Sequence, residues 1–108
     1  MDKMKNRNQP PIESTLEALD DLIHSKIRLA IMTILMSGEK AQFTYLKKVL
    51  KATDGNLSVH LTKLEDAGYI SVEKRFVNKR PQTTCKITAK GRNAFEKYVD
   101  VLEKIIKK

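Results

Sequence analysis

Apolar residues in the first two thirds of the chain recur at the three- and four-residue spacing of amphipathic helices. Four such stretches follow one another, so the pattern predicts four helices before any strand. The first covers about residues 15–23 and the last about residues 55–67. Their apolar stripes are Leu16, Leu19, Leu22 and Ile23; Ile27, Ala30, Ile31, Ile34 and Leu35; Leu46, Val49 and Leu50; and Leu57, Leu61 and Leu64.

Residues that favour helix ends support these boundaries. Ser14 followed by Glu17 forms a capping box, in which each side chain bonds the other residue's backbone amide. Small polar side chains stand at the other predicted starts, and glycine stands where a left-handed residue would end a helix. We therefore expect caps at Ser14, Ser25, Thr44 and Asp54, and helix ends at Gly38 and Gly68.

Beyond Gly68 the apolar period changes from helical to two, which is typical of strands. Two alternating runs flank a polar break over residues 78–82, so we predict a two-stranded hairpin with a basic tip. Thr88 is expected to cap a final helix that reaches nearly to Lys108. The strand faces are Ile70, Val72 and Phe76, then Thr83, Cys85 and Ile87; the last helix carries Phe95, Tyr98, Val99, Val101, Leu102, Ile105 and Ile106.

The length of 108 residues suits one domain. Residues 1–11 are polar and basic and end in two prolines, so we expect a flexible arm. Residues 12–108 would then form a single domain. The apolar stretches are too short to span a membrane, no signal sequence is evident, and a single cysteine excludes an internal disulfide. These features indicate a cytoplasmic protein with no membrane partner.

Charge is abundant and segregated. Lys and Arg total 21 against 13 Asp and Glu, a net charge of +8. Residues 12–24 carry a net −4, residues 25–51 a net +5 and residues 69–92 a net +6. A basic excess gathered in one short segment favours a polyanionic partner, most commonly nucleic acid.

Five short segments are informative because of the order in which they occur along the chain. They are SKIRL at 25–29, FTYL at 43–46, DGNLSVHL at 54–61, LEDAGYI at 64–70 and ITAKGR at 87–92. Together they resemble the MarR/ArsR-like winged helix-turn-helix transcriptional regulators, especially the short stand-alone group. The resemblance implies an α+β, mostly helical fold with its core at 25–92 and double-stranded DNA as partner. Residues 93–108, outside that core, are expected to form a C-terminal dimerisation helix.

The helix over 55–67 would then enter the major groove. At 100° per residue, the side opposite its leucines is small and rich in hydrogen-bonding groups, which suits base edges. Val59 stands at the centre of that side; we favour a contact with a thymine methyl over an ordinary exposed apolar residue. The candidate contacts from this helix are Asn56, Ser58, Val59, Thr62 and Lys63.

The hairpin over residues 76–84 would be the wing, which the resemblance places along the backbone or in the minor groove. Lys79 and Arg80 are its candidate DNA contacts, and Lys47 is a candidate phosphate contact from the preceding helix. The competing interpretation is a solvated charged edge, since lysine also protects exposed strands. The predicted tip contains no aromatic residue, so we expect no stacking on bases.

The two flanking helices are more apolar than a small domain requires. We expect them to form a homodimer interface; the alternative is that they pack on each other within one chain. The candidate interface residues are Leu16, Leu19, Ile23, Tyr98, Val101, Leu102 and Ile105.

Catalytic and metal chemistry find no support in the sequence. No phosphate-binding loop, nucleophile motif or spaced ligand set occurs, so we expect neither an enzyme nor a cofactor. His60 is interpreted as a half-buried packing or phosphate-contacting histidine, and His24 as a histidine near a helix C-terminus. Cys85 is interpreted as a small core residue, with a thiol sensor as its alternative. A small-molecule effector stays open.

The function that follows is a homodimeric, sequence-specific double-stranded DNA-binding transcriptional regulator. The alternative is a winged-helix module that binds protein or RNA without reading DNA sequence.

Overall fold

The computed structural model describes residues 16–107, which form four helices and three strands. The helices are α1 (Lys26–Gly38), α2 (Phe43–Leu50), α3 (Asp54–Asp66) and α4 (Ala89–Ile106). The strands are β1 (Lys40–Gln42), β2 (Ile70–Val77) and β3 (Arg80–Ile87). The α+β, mostly helical winged-helix fold expected from the sequence is confirmed.

The helix predicted over residues 15–23 is wrong over most of its length. Leu16 and Glu17 are helical, but the chain then runs through turns up to Ser25. The carboxylate of Asp20 explains the change, because its Oδ1 accepts the backbone amides of Leu22 at 2.8 Å and Ile23 at 3.2 Å. An Asp side chain that takes those amides replaces helical hydrogen bonds. Ser14 and the arm over residues 1–11 lie outside the described residues.

Three helices begin at side-chain caps. Ser25 caps α1 and Thr88 caps α4, as predicted, whereas Thr53 rather than Asp54 caps α3 by accepting the Asn56 amide at 3.1 Å. α2 begins one residue before Thr44 and has no side-chain cap.

Two helix ends differ in the residue that turns the chain. Gly68 adopts a positive φ of 81° after α3, as predicted. Gly38 does not: it is the last residue of α1, and Glu39 takes the positive φ of 69°. The predicted end of that helix is therefore correct to within one residue, although a different side chain carries the left-handed turn.

The sheet has three antiparallel strands in the order β1-β3-β2. The apolar pattern does not predict β1, whose three residues pair with β3 through Lys40↔Lys86, Ala41↔Cys85 and Gln42↔Thr84. The hairpin is longer and its turn tighter than predicted. Only Asn78 and Lys79 separate β2 from β3, both at positive φ, as a type I′ hairpin turn requires.

The core lies between the helices and one face of the sheet. All four leucine and isoleucine stripes contribute, together with strand residues and the middle of α4. The buried apolar residues are Leu19, Ile23, Ile31, Met32, Leu35, Leu46, Leu57, Leu61, Leu64, Ile70, Cys85, Ile87, Tyr98 and Val101.

A close backbone contact joins the start of α4 to the turn after α3. The Thr88 amide donates to the Tyr69 carbonyl at 3.0 Å, and the Thr88 hydroxyl donates to the Gly68 carbonyl at 2.6 Å. Gly91 lies against the same peptide, where a Cβ would overlap the Tyr69 carbonyl oxygen. The segments LEDAGYI and ITAKGR thus contact each other directly and form one joint. Position 91 is glycine because a side chain there would overlap the Tyr69 carbonyl.

Candidate nucleic-acid interface

The outer face of α3, formed by Asn56, Ser58, Val59, Thr62 and Lys63, is fully on the surface of the protein. Leu57, Leu61 and Leu64 lie on the opposite side and are buried, so the helix is held by its inner stripe along its whole length. Val59 leaves 53% of its surface exposed. All five candidate DNA contacts of α3 therefore share one accessible surface on a firmly held helix.

Lys47 lies beside the start of α3. Its Nζ is 2.8 Å from Oδ1 of Asp54, and both side chains are largely exposed. An exposed ion pair of this kind contributes little to stability and exchanges readily. Lys47 therefore stands at the edge of the outer face of α3 with its charge only partly neutralised.

A groove of about 330 Å³ lies between α3 and the hairpin. Ser58, Thr62 and Glu65 line it from α3, and Lys74 and Thr83 line it from β2 and β3. The hairpin face that turns toward α3 is thus continuous with the helix surface that carries the candidate base contacts.

The wing, residues 76–84, has two different faces because side chains alternate along each strand. Register pairs Lys74 with Thr83 and Phe76 with Pro81 on the face toward α3. Arg80 pairs with Val77 and belongs to the other face. Lys79 and Arg80 are both exposed, as predicted, but only Lys79 lies in the turn itself.

One exposed aromatic residue lies outside the predicted site. The alternation places Phe76 on the apolar side of β2, yet 77% of its surface is exposed. The predicted face is correct, but the strand continues past the end of the core. The length of the turn could have revealed this exposure. A two-residue turn that begins at Asn, which readily adopts a left-handed conformation, would place Phe76 next to the tip.

His60, on α3, contacts Arg28, which lies on α1. Its Nδ1 lies 2.9 Å from a guanidinium nitrogen of Arg28, whose Nε donates to the Leu22 carbonyl at 2.5 Å. Burial, with the positive charges of Arg28 and Lys63, lowers the pKa of His60 below 6.5. His60 is half-buried and packs against Arg28, which is one of the two roles that the sequence left open.

Residues 27–106 match the family described as the winged helix DNA-binding domain. The chain belongs to that family. It is 42% identical over 78 residues to an uncharacterized protein of Methanocaldococcus jannaschii, a match that covers 72% of this chain and 85% of that protein.

Solved winged helix structures agree with this assignment. A transcriptional regulator homologue from Pyrococcus horikoshii superposes with a TM-score of 0.79 at 29% identity, over 89% of this chain and 93% of its own. An ArsR family transcriptional regulator superposes with a TM-score of 0.60 at 22% identity, over 87% of this chain and 98% of its own, and so shares the fold. The winged helix fold and the DNA-binding family that the resemblance implied are confirmed.

The candidate dimer residues of this winged helix domain fall into two groups. Leu19, Ile23, Tyr98 and Val101 are buried within the single chain. The remaining three, Leu16, Leu102 and Ile105, are at least partly exposed, and Ile106 beside them leaves 68% of its surface exposed.

Two polar contacts hold the N-terminal segment against the domain. His24 Nδ1 lies 2.7 Å from the hydroxyl of Tyr98, and the Tyr69 hydroxyl donates to Asp20 Oδ2. Burial and the Asp20 carboxylate together raise the pKa of Tyr69 to about 12. His24 therefore contacts α4 through Tyr98, a partner that the sequence did not predict.

Cys85 is completely buried on β3, which confirms its interpretation as a small core residue. Burial, with a smaller contribution from Glu65, raises the pKa of its thiol to about 11. Among residues 16–107, His, Cys, Asp and Glu nowhere gather in a group of three that could hold a metal ion. In the same part of the chain, every helix is too short or too polar to cross a membrane.

Proposed function

We propose that this winged helix domain binds double-stranded DNA in a sequence-specific manner and acts as a homodimeric transcriptional regulator. The observation that supports it best is the outer face of α3. Its hydroxyl, amide and small apolar groups lie on one exposed surface, opposite a buried leucine stripe. Such groups pair with base edges in the major groove, which is wide enough for a helix.

In this proposal α3 reads bases and its surroundings bind phosphates. Ser58, Thr62 and Asn56 donate to or accept from base edges, and Val59 contacts a thymine methyl. Lys47 and Lys63 flank that surface and neutralise phosphates, with Lys47 exchanging Asp54 for the DNA backbone.

The wing supplies the second set of phosphate contacts. Lys79 lies in the hairpin turn and Arg80 begins β3, so both extend beyond the core. We expect them to contact the backbone or to enter the minor groove, which attracts arginine where it is narrow.

Dimerisation in this proposal uses the apolar surface that the single chain leaves open. Leu16, Leu102, Ile105 and Ile106 provide it, near the two ends of the described chain. Leu19, Ile23, Tyr98 and Val101 are buried within the single chain instead. A two-fold dimer would place two α3 helices on successive turns of one DNA face.

The decisive experiment is selection of bound fragments from random duplex DNA, followed by binding measurements at several salt concentrations. If each dimer makes about eight phosphate contacts, the logarithm of affinity should fall against the logarithm of salt with a slope of about −7. Enrichment of a two-fold symmetric site is expected. No binding to any duplex, or equal binding to all, would contradict sequence-specific regulation.

Sedimentation of the full chain tests the dimer separately. We expect a dimer at micromolar concentration, and a weakly binding monomer when residues 99–108 are removed. A full-length monomer under those conditions would overturn the dimer while leaving DNA binding to the first experiment.

A further inference from the structure

Phe76 is the most exposed of the large apolar side chains in the described part of the protein, at 77%. It lies on β2 directly opposite Pro81, on the hairpin face that turns toward α3. Lys74 and Thr83 precede this pair on the same face and line the groove beside Ser58 and Thr62. The aromatic ring thus extends the candidate DNA surface rather than the core.

The protein's own core cannot cover this ring. Val72 is the last residue on that face of β2 to pack against the core. Phe76 lies four residues further, about 13 Å along the strand. The hairpin therefore holds an aromatic side chain well away from the rest of the domain.

The charges around the ring favour a nucleic-acid partner over an apolar protein surface. Lys74, Arg75, Lys79 and Arg80 surround Phe76 in sequence, and Glu73 is paired with Arg75 at 2.8 Å. An apolar protein partner would have to desolvate these cations without replacing their hydration. A duplex offers phosphates for the cations and stacked base faces for the ring.

We propose that Phe76, backed by Pro81, is an aromatic wedge that enters a base step in the minor groove beside the major groove occupied by α3. This inference rests on the proposed DNA-binding function. The minor groove is only about 6 Å wide, whereas two paired strands are already about 4.8 Å apart before their side chains are counted. The hairpin therefore lies across the groove and only a side chain enters it.

Two properties of the complex follow from the wedge. Side chains inserted between base pairs in the minor groove bend the duplex toward the major groove by about 20–90°. Here that bend brings the DNA closer to α3. Pyrimidine–purine steps such as TA and CA unstack most easily, so the wedge selects such a step at a position where no base edge is read.

The test uses the full chain and the duplex that selection identifies. Energy transfer between dyes at the two DNA ends reports the bend, and permanganate oxidation reports an unstacked thymine. The wild-type dimer should bend the DNA and make a thymine near the wing reactive in each half-site. Phe76→Ala should abolish both signals and weaken binding about tenfold for each wing that loses its wedge, because a stack between the ring and a base is lost.

Val77→Ala is the matched control. Val77 is the neighbouring apolar residue, but it belongs to the opposite face of the hairpin and is 39% exposed. Its replacement should leave the bend and the thymine reactivity unchanged. Replacement of the selected TA or CA step by GC should weaken wild-type binding and leave Phe76→Ala almost unaffected.

The outcomes separate this inference from the proposed function. If the wild-type protein binds no duplex, both the proposed function and the wedge are overturned. If it binds a specific site but Phe76→Ala bends the DNA equally, only the wedge is overturned. A Phe76→Ala protein that changes from dimer to monomer in sedimentation would assign the ring to a protein interface instead. Equal thermal midpoints for wild type and variant check that folding is intact.

Discussion

The outer face of α3 and the wing present similar polar surfaces on very different supports. α3 is held by three buried leucines, so its outer side chains project from a fixed backbone. The outer part of the hairpin is held by its strand pairing, and every residue from 73 to 81 is exposed. A fixed surface suits the angular demands of base-edge hydrogen bonds. A ribbon that projects from the body suits phosphates and groove shape, which tolerate small shifts.

The largest expected effect comes from breaking the joint that both regions share. Gly91→Ala would place a Cβ 2.8 Å from the Tyr69 carbonyl carbon, closer than real Cβ atoms come. The atoms that this Cβ would meet belong to the backbone and cannot rotate away. We therefore expect the free energy of unfolding to fall by about 3 kcal/mol. Urea denaturation followed by circular dichroism measures it.

Gly38→Ala is the control for that variant. Gly38 lies at the end of α1, and a Cβ added there would meet nothing within 4 Å. Alanine there should leave stability unchanged or raise it by up to about 1 kcal/mol. Equal, small effects at both positions would show that the close approach at Gly91 is not what holds α4 in place.

A smaller effect should separate base reading from general affinity. Thr62→Ala and Ser58→Ala should each weaken the selected site by about 1–3 kcal/mol and scrambled DNA much less, because a base-edge hydrogen bond is lost. Binding isotherms on both duplexes measure the difference. Ser37→Ala, a hydroxyl deletion on α1, serves as control. Equal losses on the two duplexes would remove α3 as the reading helix.

The wing should behave in the opposite way. Arg80→Ala removes a candidate phosphate contact, so affinity should fall similarly on both duplexes and the salt slope should become shallower by about one unit per protomer. Lys97→Ala, on the exposed side of α4, is a charge-matched control. An unchanged slope for Arg80→Ala would place that guanidinium outside the DNA interface.

The smallest expected effect is on the pH dependence of stability, through the contact between His60 of α3 and Arg28 of α1. The pKa of His60 lies below its ordinary value of 6.5 in the folded protein, so the unfolded chain takes up the proton first as the solution is acidified. Stability due to this group is complete above pH 6.5 and declines as pH falls through the folded pKa. His60→Gln should flatten that part of the stability profile in urea titrations. An unaltered profile would mean that other groups cause the decline.

The repeating elements were predictable because their signals are local. The leucines of α3, the alternation of β2 and β3 and the Thr88 cap each depend on residues a few positions apart. The same reasoning failed where a distant or competing contact decides the structure. β1 has only three residues and exists through its pairing with β3, and the turn at Asp20 replaces a helix that the leucine spacing alone indicates.

The site was predictable to a similar extent. The exposed face of α3 follows directly from its buried stripe, so all of its candidate residues lie where the spacing put them. The exposure of Phe76 was not predicted because alternation specifies which face a side chain occupies and not where the core ends. The partners of His60 and Tyr69 are separated from them by 32 and 49 residues, and no local pattern carries such pairs.

The buried thiol of Cys85 has a practical consequence for following the wing as it meets DNA. A thiol with a pKa of about 11 and no exposed surface reacts slowly with maleimides at neutral pH. A variant with one added surface cysteine can therefore be labelled at that position while Cys85 is kept. A Lys79→Cys substitution would put a dye in the hairpin turn, where its distance from one end of a duplex reports how the tip approaches the DNA.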